Sequence, residues 1–270
     1  MAGFDFILCA DDYGMTEAVS RGLLEVAAAG RISAASAMAS LPDWRRAARD
    51  WAAARPPVDL GLHVTLTVGA PLGAMPQFAP GGEFPGVGAL AAAALARRLP
   101  GEEIEAEILR QIDAFCAATG APPSHVDGHQ HVHIFPQVRT AFLAAVAHHA
   151  PGAWVRQCGR AHGRRPGSPK ALLLDVLSRK FRRRAAQAGV SFNPGFAGAY
   201  DFTRQPEFGP LMESFLDDLP DGGLVMCHPG FVDDVLISLD PLAGQREREY
   251  AYLAGDEFIA MLLRNGVALR

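Results

Sequence analysis

Residues 4–30 read FDFILCADDYGMTEAVSRGLLEVAAAG, a short apolar run that ends in two aspartates and leads into a longer run of helix-forming residues. The apolar run predicts a buried β-strand, because strands of parallel sheets are covered on both faces. The second run predicts a helix, with Thr16 as its N-cap and Gly30 at its carboxyl end. Together they predict a β/α unit whose strand ends in Asp11 and Asp12.

The same alternation of short apolar and longer amphipathic runs continues along the chain about seven times. Further strands are predicted at 32–40, 58–66, 125–133, 153–158, 190–196 and 222–230, and the sequence closes with a short apolar VAL at 267–269. Helices are predicted at 43–54, 101–120, 136–149, 205–218 and 244–265 and in a basic segment before residue 190, with a Gly/Pro-rich loop at 69–88. Repeated strand–helix alternation predicts parallel strands joined by right-handed crossovers. We therefore expect an α/β fold in which about seven parallel strands form a single-domain irregular (β/α) barrel over residues 1–270.

The composition is that of a globular protein with a sizeable core. Of the 270 residues, 49% are apolar and 20% are charged, and the formal net charge is −4. This weak negative charge argues against a dedicated nucleic-acid binder. No signal peptide opens the sequence, no apolar run is long enough to cross a bilayer, and the four cysteines show no pairing pattern. We expect a soluble cytoplasmic protein.

Ionisable side chains recur where the predicted strands end. They are Asp11 and Asp12 in the first strand, His63 in the third, a histidine cluster in the fourth, Arg156 in the fifth and His228 in the seventh. The carboxyl ends of parallel strands meet on one side of such a fold, which is where active sites lie. The sequence therefore predicts one site built from these residues.

Each of these residues also has a structural interpretation. Adjacent aspartates are common in turns before helices, and taken alone Asp11 and Asp12 favour that interpretation. At a strand end, however, two adjacent carboxylates point in different directions, so one could bind a metal ion and the other act as a base. A lone histidine such as His63 is more often a satisfied core residue than a ligand. Arg156 could lie on the surface or clamp a carboxylate, a hydroxyl or an oxyanion, and His228 could end a turn or act as a general acid.

The fourth predicted strand, HVDGHQHVH at 125–133, carries four histidines and one aspartate. All five occupy odd positions, so an extended strand would place them on one face. Burying several unpaired imidazoles is costly, and a cation would give them a partner. One ion cannot hold all of them, because residues i and i+4 of a strand are roughly 13 Å apart. We expect one or two to bind and the others to orient the ligands or line the pocket, with His125 and His133 as candidates for a purely structural role.

Two histidines and one carboxylate, with positions left for water, suit a catalytic divalent ion. Imidazole ligands fit Zn²⁺, Fe²⁺ or Mn²⁺, whereas Mg²⁺ prefers more oxygen ligands. We expect one divalent ion, with Zn²⁺ favoured and Mg²⁺, Mn²⁺, Fe²⁺ and Co²⁺ left open.

The stretch 160–184 holds nine Lys and Arg residues against one acid, Asp175. A solvated helix face is the favoured interpretation, and peripheral contact with an anionic or membrane surface is the sharper alternative. Binding of nucleic acid through this stretch would call for interleaved aromatic residues, and only Phe181 falls within it.

Four motifs occur in the order expected for one family. The segments ADDYGMTEAVSRG, LGLHVTLT, HVDGHQHVHIFP and MCHPG, which span the chain from Asp11 to His228, resemble the YdjC/ChbG-like carbohydrate deacetylases. That family is similar to the NodB-type polysaccharide deacetylases in its metal site and irregular barrel. GFAGAYDF at 195–202 also resembles a family loop near the substrate pocket.

The resemblance implies a role for each matching residue. Asp12, His63 and His129 are implied to hold the metal ion, with Asp11 as general base and His228 as general acid. Which of His129, His131 and His133 completes the ligand set stays open. The further residues that we expect to bind substrate or to orient the catalytic groups are Arg156, Asp127, His131, His133, Phe196 and Tyr200.

The implied reaction is hydrolysis of an N-acetyl group on an amino sugar, with release of acetate. Hopanoid-associated deacetylases, a branch of the same family, read closer to NAHKH where this chain has DGHQH. This difference favours a carbohydrate substrate over a glycolipid such as a hopanoid. Another metal-dependent amide or ester hydrolase and a sugar-binding protein with a relic site stay open as alternatives. The oligomeric state is also open, a homodimer included.

Overall fold

A curled sheet of parallel strands surrounded by helices forms the structure. The computed structural model describes residues 3–160, 169–240 and 243–270. The strands are β1 (Phe4–Tyr13), β2 (Ala34–Ala37), β3 (Asp59–Val64), β4 (His125–Gly128), β5 (Trp154–Val155), β6 (Phe196–Ala197), β7 (Gly223–Cys227) and β8 (Val267–Leu269). The helices are α1 (Glu17–Ala28), α2 (Trp44–Ala54), α3 (Val87–Leu95), α4 (Gly101–Thr119), α5 (Val138–His149), α6 (Pro169–Gln187), α7 (Phe208–Leu216), α8 (Asp234–Leu239), α9 (Gly244–Ala254) and α10 (Asp256–Asn265).

The strand order is β5-β4-β3-β2-β1-β7-β6, with β8 also paired to β1. The paired strands run parallel to one another. A bridge between Val155 of β5 and Phe192, just before β6, brings the two edges of the sheet together. The predicted irregular (β/α) barrel of about seven parallel strands is confirmed, with β8 as a short addition.

The first β/α unit forms as its sequence predicts. Phe6 and Leu8 of β1 are fully buried, as expected for a strand covered on both faces. The Thr16 side chain accepts a hydrogen bond from the Val19 amide at 3.2 Å and so caps α1. Gly30 follows the helix with φ +65°, a conformation that glycine adopts at little cost.

Three helical features differ from the sequence prediction. The predicted loop 69–88 is followed by α3, which was not predicted. This helix is rich in alanine and lacks the amphipathic pattern by which a helix is recognised in a sequence. The short helix α8 was also not predicted. The single helix predicted over 244–265 is divided by Gly255, which is extended at φ −78° and ψ 167°.

The prediction of a strand over 125–133 is wrong beyond Gly128. There β4 ends, and the chain turns through His129–Ile134 with Gln130 and His131 at φ 54° and 59°. These left-handed residues redirect the chain, so the histidines do not share one face of a strand. The alternating pattern therefore holds only for His125 and Asp127.

The basic stretch 160–184 is described in part, because residues 161–168 lie outside the described residues. Within α6 the exposed side chains include both apolar and basic groups, Leu172 and Val176 followed by Arg179 and Lys180. Over the described ranges, none of the helices combines the length and apolar character needed to cross a membrane. Surface contact through this stretch stays a prediction.

Candidate active site

A cavity of about 350 Å³ opens at the carboxyl ends of the strands. Six of the predicted site residues line it: Asp11, Asp12, His63, His129, His131 and His228. Its other lining residues are Val87, Gln130, Phe135, Leu173, Leu174, Phe202, Met226, Asp240 and Arg246. The structure therefore brings these six residues, from distant parts of the sequence, to one cavity.

A bulge in β1 separates the two adjacent aspartates. The pairing of β1 with β2 shifts register between Ala10 and Tyr13, and Asp12 has φ 73°. A left-handed residue inside a strand turns its neighbours' side chains away from simple alternation. Asp11 consequently contacts Arg156 and approaches His228, whereas Asp12 contacts His63, His129 and Arg246.

Asp12, His63 and His129 bring three metal-binding atoms together. Oδ1 of Asp12 lies 3.1 Å from Nδ1 of His129 and 3.5 Å from Nε2 of His63, and one donor atom from each of the three residues lies within 4.8 Å of the other two. Two ligands on one ion, with bonds of about 2.1 Å, are about 3.0–3.5 Å apart. The spacing and the mixed nitrogen and oxygen donors therefore fit a single divalent ion.

The carboxylate of Asp127 orients the His63 ring. Its Oδ1 lies 2.6 Å from Nδ1 of His63, which directs Nε2 toward Asp12, an arrangement common behind metal-binding histidines. Burial disfavours a charged ring, but the Asp127 carboxylate outweighs this and raises the pKa of His63 to about 9. Without a cation beside it, His63 is therefore protonated at neutral pH.

The fully buried Arg156 connects two carboxylates. Its Nη1 and Nη2 donate to the two oxygens of Asp11 at 2.6 Å each, and Nη2 lies 2.5 Å from Oδ2 of Asp127. Arg156 is not among the cavity residues, so it clamps carboxylates of the protein itself. Burial would raise the pKa of Asp127, but Arg156 and His63 outweigh it and hold that pKa well below its usual range.

Two other groupings of potential ligands share residues with this network. They are Cys9 with His125 and Asp127, and Asp11 with His63 and Asp127. Arg156 contacts both Asp11 and Asp127, and its Nη2 lies 3.1 Å from Sγ of Cys9. A guanidinium already occupies the position where a cation would have to bind. Burial also raises the pKa of Cys9 to about 12, which makes it a poor ligand. Asp12, His63 and His129 are the grouping that faces the cavity.

The remaining histidines of the cluster have separate surroundings. His125 is buried, stacks on Trp154 and hydrogen-bonds the Ser36 hydroxyl at 2.9 Å. His133 is buried, and its Nε2 donates to the carbonyl of Arg156 at 2.8 Å. These contacts fit the structural interpretation of both residues. His131 lines the cavity wall, where its ring meets the edge of Phe196.

His228 follows β7 and lies between Asp11 and an aromatic residue. Its Nε2 is 4.0 Å from Oδ2 of Asp11, and its ring meets Phe202 edge-on at 5.1 Å. Burial lowers the pKa of His228 to about 4. The ring is therefore neutral at pH 7 in the resting site.

Two aromatic residues predicted to bind substrate or to orient the catalytic groups, Phe196 and Tyr200, do not line this cavity. Phe196 is buried beneath His131, and the Tyr200 hydroxyl hydrogen-bonds Glu249. Phe202, which stacks on Tyr200, lines the cavity in their place. For Phe196 and Tyr200, support of neighbouring side chains therefore fits better than direct contact with a ligand.

Sequence reasoning missed two charged residues of α9. Nη2 of Arg246 lies 2.5 Å from Oδ2 of Asp12 and 2.8 Å from Oδ2 of Asp240. Burial would raise the pKa of Asp12, but Arg246 and His129 outweigh it and hold that pKa well below its usual range. Glu249, one turn further along α9, is fully buried. The helix sequence GQREREYAYLA lacks a broad apolar stripe and is typical of a solvated surface, so it gives no sign that these two residues are buried.

A parallel (β/α) barrel that gathers carboxylates and imidazoles at the carboxyl ends of its strands is the arrangement of metal-dependent barrel enzymes. The chain belongs to the YdjC-like protein family, which it matches over residues 5–264.

Comparison with individual proteins gives the same assignment. A carbohydrate deacetylase from Geobacillus stearothermophilus is 32% identical over 267 residues, covering 97% of this chain and 94% of the relative. A chitooligosaccharide deacetylase from Yersinia pestis (strain Pestoides F) is 30% identical over 233 residues, covering 86% and 84%. The crystal structure of an Enterococcus faecalis V583 protein superposes with a TM-score of 0.77 at 21% identity, covering 100% of this chain and 97% of the other. That structure supports the fold alone.

Proposed function

We propose that this protein is a metal-dependent deacetylase that hydrolyses the N-acetyl group of an amino sugar and releases acetate. The observation that carries the proposal is the placement of Asp11 and His228 beside the Asp12–His63–His129 grouping in one cavity. The deacetylases among the relatives support a carbohydrate substrate. A sugar-binding protein with a relic site would have no need for this complete set of reactive groups.

Asp12, His63 and His129 are the residues that would hold the ion. When bound there, a divalent ion supplies a Lewis acid that polarises the acetyl carbonyl and lowers the pKa of the attacking water. The two imidazoles favour Zn²⁺ among the candidate ions. Arg246 binds the second oxygen of Asp12 and so leaves Oδ1 facing both histidines.

Asp11 is placed to accept a proton from the attacking water. Arg156 donates to both of its oxygens, which holds the carboxylate in one orientation. Nε2 of His228 lies 4.0 Å from Oδ2 of Asp11, so a small approach of the two side chains would let a proton pass from Asp11 to His228. Because burial keeps its resting ring neutral, the proton that His228 delivers to the leaving amine comes from the water by way of Asp11.

The cavity offers two kinds of surface to a sugar. Ionisable groups lie at the strand ends, whereas Phe135, Leu174, Phe202 and Met226 contribute apolar wall. Sugar rings present apolar C–H faces as well as hydroxyls, so this combination suits an N-acetylated sugar. The four cysteines are unpaired, which supports our further proposal that the protein acts in the reducing cytoplasm.

Acetate release from a panel of substrates tests the proposal. The panel contains N-acetylglucosamine and its oligomers, an N-acetylated glycolipid, and O-acetyl esters, each assayed with metal-loaded enzyme. We expect the amide of the amino sugar to be cleaved fastest. Preference for an ester or for the glycolipid would indicate one of the alternative hydrolases, and no hydrolysis of any substrate would indicate a binding protein.

An Asp11→Asn variant separates the two roles of the adjacent aspartates. It should retain the metal content of the unmodified enzyme, because Asp11 is paired with Arg156 rather than with the candidate ligands. Loss of the general base should lower kcat by about 10²–10⁴-fold. Loss of metal in this variant would show that the two aspartates are assigned in the wrong order.

A further inference from the structure

The chain after β7 is held by contacts from two helices. The His228 amide donates to Oε2 of Glu249 at 2.5 Å, the Gly230 amide to the carbonyl of Arg246 at 3.3 Å, and the Phe231 amide to the carbonyl of Ala18 at 3.3 Å. Two of these three acceptors belong to α9. The position of His228 therefore depends on this helix.

Glu249 is also connected to the ring of His228 through the side chains of Tyr200 and Phe202. Its Oε1 accepts a hydrogen bond from the Tyr200 hydroxyl. The Tyr200 ring stacks on Phe202 with centroids 4.1 Å apart, and Phe202 meets the His228 ring at 5.1 Å. One carboxylate thus fixes the His228 backbone directly and its ring through two aromatic side chains.

Burying the Glu249 carboxylate costs free energy of folding, which its hydrogen bonds must offset. Glu249 is fully buried, and desolvation of an acid opposes folding unless hydrogen bonds offset it. Burial raises its pKa to about 7, although the two donors favour the charged form. An apolar residue could fill the same volume, but it would leave the amide of His228 and the hydroxyl of Tyr200 without their acceptor.

We propose that Glu249 is a positioning residue for proton delivery, which holds His228 where it can protonate the leaving amine. The inference rests on the proposed deacetylase function. It assigns no contact between Glu249 and substrate, since Glu249 acts through His228 and Tyr200.

The test compares two acetyl substrates that differ in their need for an acid. N,N′-Diacetylchitobiose, called chitobiose below, releases an amine that must be protonated, whereas 4-nitrophenyl acetate releases a stable phenolate that needs no proton. Glu249→Leu should lower kcat for chitobiose by about 10–10²-fold, part of the range for losing a general acid. KM and metal content should stay the same, and the rate with the ester should fall far less.

Two further variants guard against simple misfolding. Glu249→Gln keeps an acceptor for the His228 amide and a polar group for Tyr200, so it should recover most of the activity. Glu247→Leu, on the exposed side of the same helix, should match the unmodified enzyme.

In a His228→Ala background, Glu249→Leu should cause little additional loss of activity on chitobiose, because both changes remove the same step.

The possible failures are distinguishable. Equal losses on amide and ester, loss of metal, additive losses with His228→Ala, or full activity of Glu249→Leu would each overturn the positioning role while leaving the deacetylase function intact. Absence of chitobiose hydrolysis by the unmodified, metal-loaded enzyme would overturn both.

Discussion

Replacing Arg156 with methionine should destabilise the protein strongly. The arginine is fully buried and makes three charged contacts of 2.5–2.6 Å with Asp11 and Asp127. Methionine fills similar volume but leaves the buried Asp11 carboxylate without its guanidinium and Asp127 with His63 as its charged partner. Removing one partner of a buried ion pair costs about 3–5 kcal/mol.

This cost converts into a measurable shift in melting temperature. The unfolding entropy of a 270-residue chain is about 0.57 kcal/mol/K, from about 2.1 cal/mol/K per residue. A loss of about 3–5 kcal/mol therefore lowers Tm by about 5–9 °C, measured by differential scanning calorimetry. Arg248→Met, at an exposed position of α9, is the control and should change the stability by less than about 0.5 kcal/mol.

The pH dependence of the variant provides a second check. Without Arg156 the pKa of Asp127 rises in the folded state, so the folded variant binds more protons than the folded unmodified protein. Its stability relative to the unmodified protein should therefore fall as the pH rises, and the deficit should be larger at pH 8 than at pH 5. A Tm within 2 °C of the unmodified protein, or a deficit that does not grow with pH, would refute this reasoning.

Three other predictions concern the metal site and the buried histidines. Because the pKa of His63 is raised to about 9, metal binding at pH 7.5 should release about one proton per ion, measured by calorimetry in buffers of different ionisation enthalpy. Binding without proton release would contradict this. The His63→Ala variant should bind no ion. Burial lowers the pKa values of His125 and His133 to about 4, so the unfolded chain binds more protons between about pH 6.5 and 4. Each of these histidines should therefore lower the free energy of unfolding by up to about 1.4 kcal/mol per pH unit as the pH falls, measured by urea unfolding. If His133→Gln leaves this pH dependence unchanged, His133 does not contribute to it. Gly61→Ala should destabilise the protein by about 1–3 kcal/mol, because its Cβ would lie 2.4 Å from ring atoms of His125. Gly101→Ala is the control and should not destabilise it, because nothing lies within 4 Å of the added Cβ. Equal stabilities of the two variants would show that the His125 ring can move.

Much of the fold could be predicted because its signals are local. Each buried strand is a short apolar run, and the helix after β1 begins with a capping residue that forms its expected contact. The carboxyl ends of parallel strands meet by geometry, so Asp11, His63 and His228 could be grouped without knowing any side-chain position. Alternation alone was misleading beyond Gly128, since neither glycine nor proline marks the left-handed residues that follow.

The missing parts of the site depend on tertiary contacts. A charged helix with few large apolar residues is typical of a solvated surface, and Arg246 and Glu249 give no local sign that they are buried. They are buried because α9 packs over the strand ends, where Asp12 and the His228 amide supply their partners. Only the three-dimensional arrangement reveals that pairing.

The position of β1 in the interior of the sheet, paired on both edges, has a consequence for folding. Phe6 pairs with Gly223 of β7 and also with Leu269 of β8, and Asp12 meets Arg246. Contacts of such long sequence separation form slowly. A nascent chain that has not yet produced α9 already contains all three candidate ligands but neither Arg246 nor Glu249. During synthesis, the edge of β1 that pairs with β7 therefore stays unpaired until β7 has been made, and such an unpaired edge can associate with other chains.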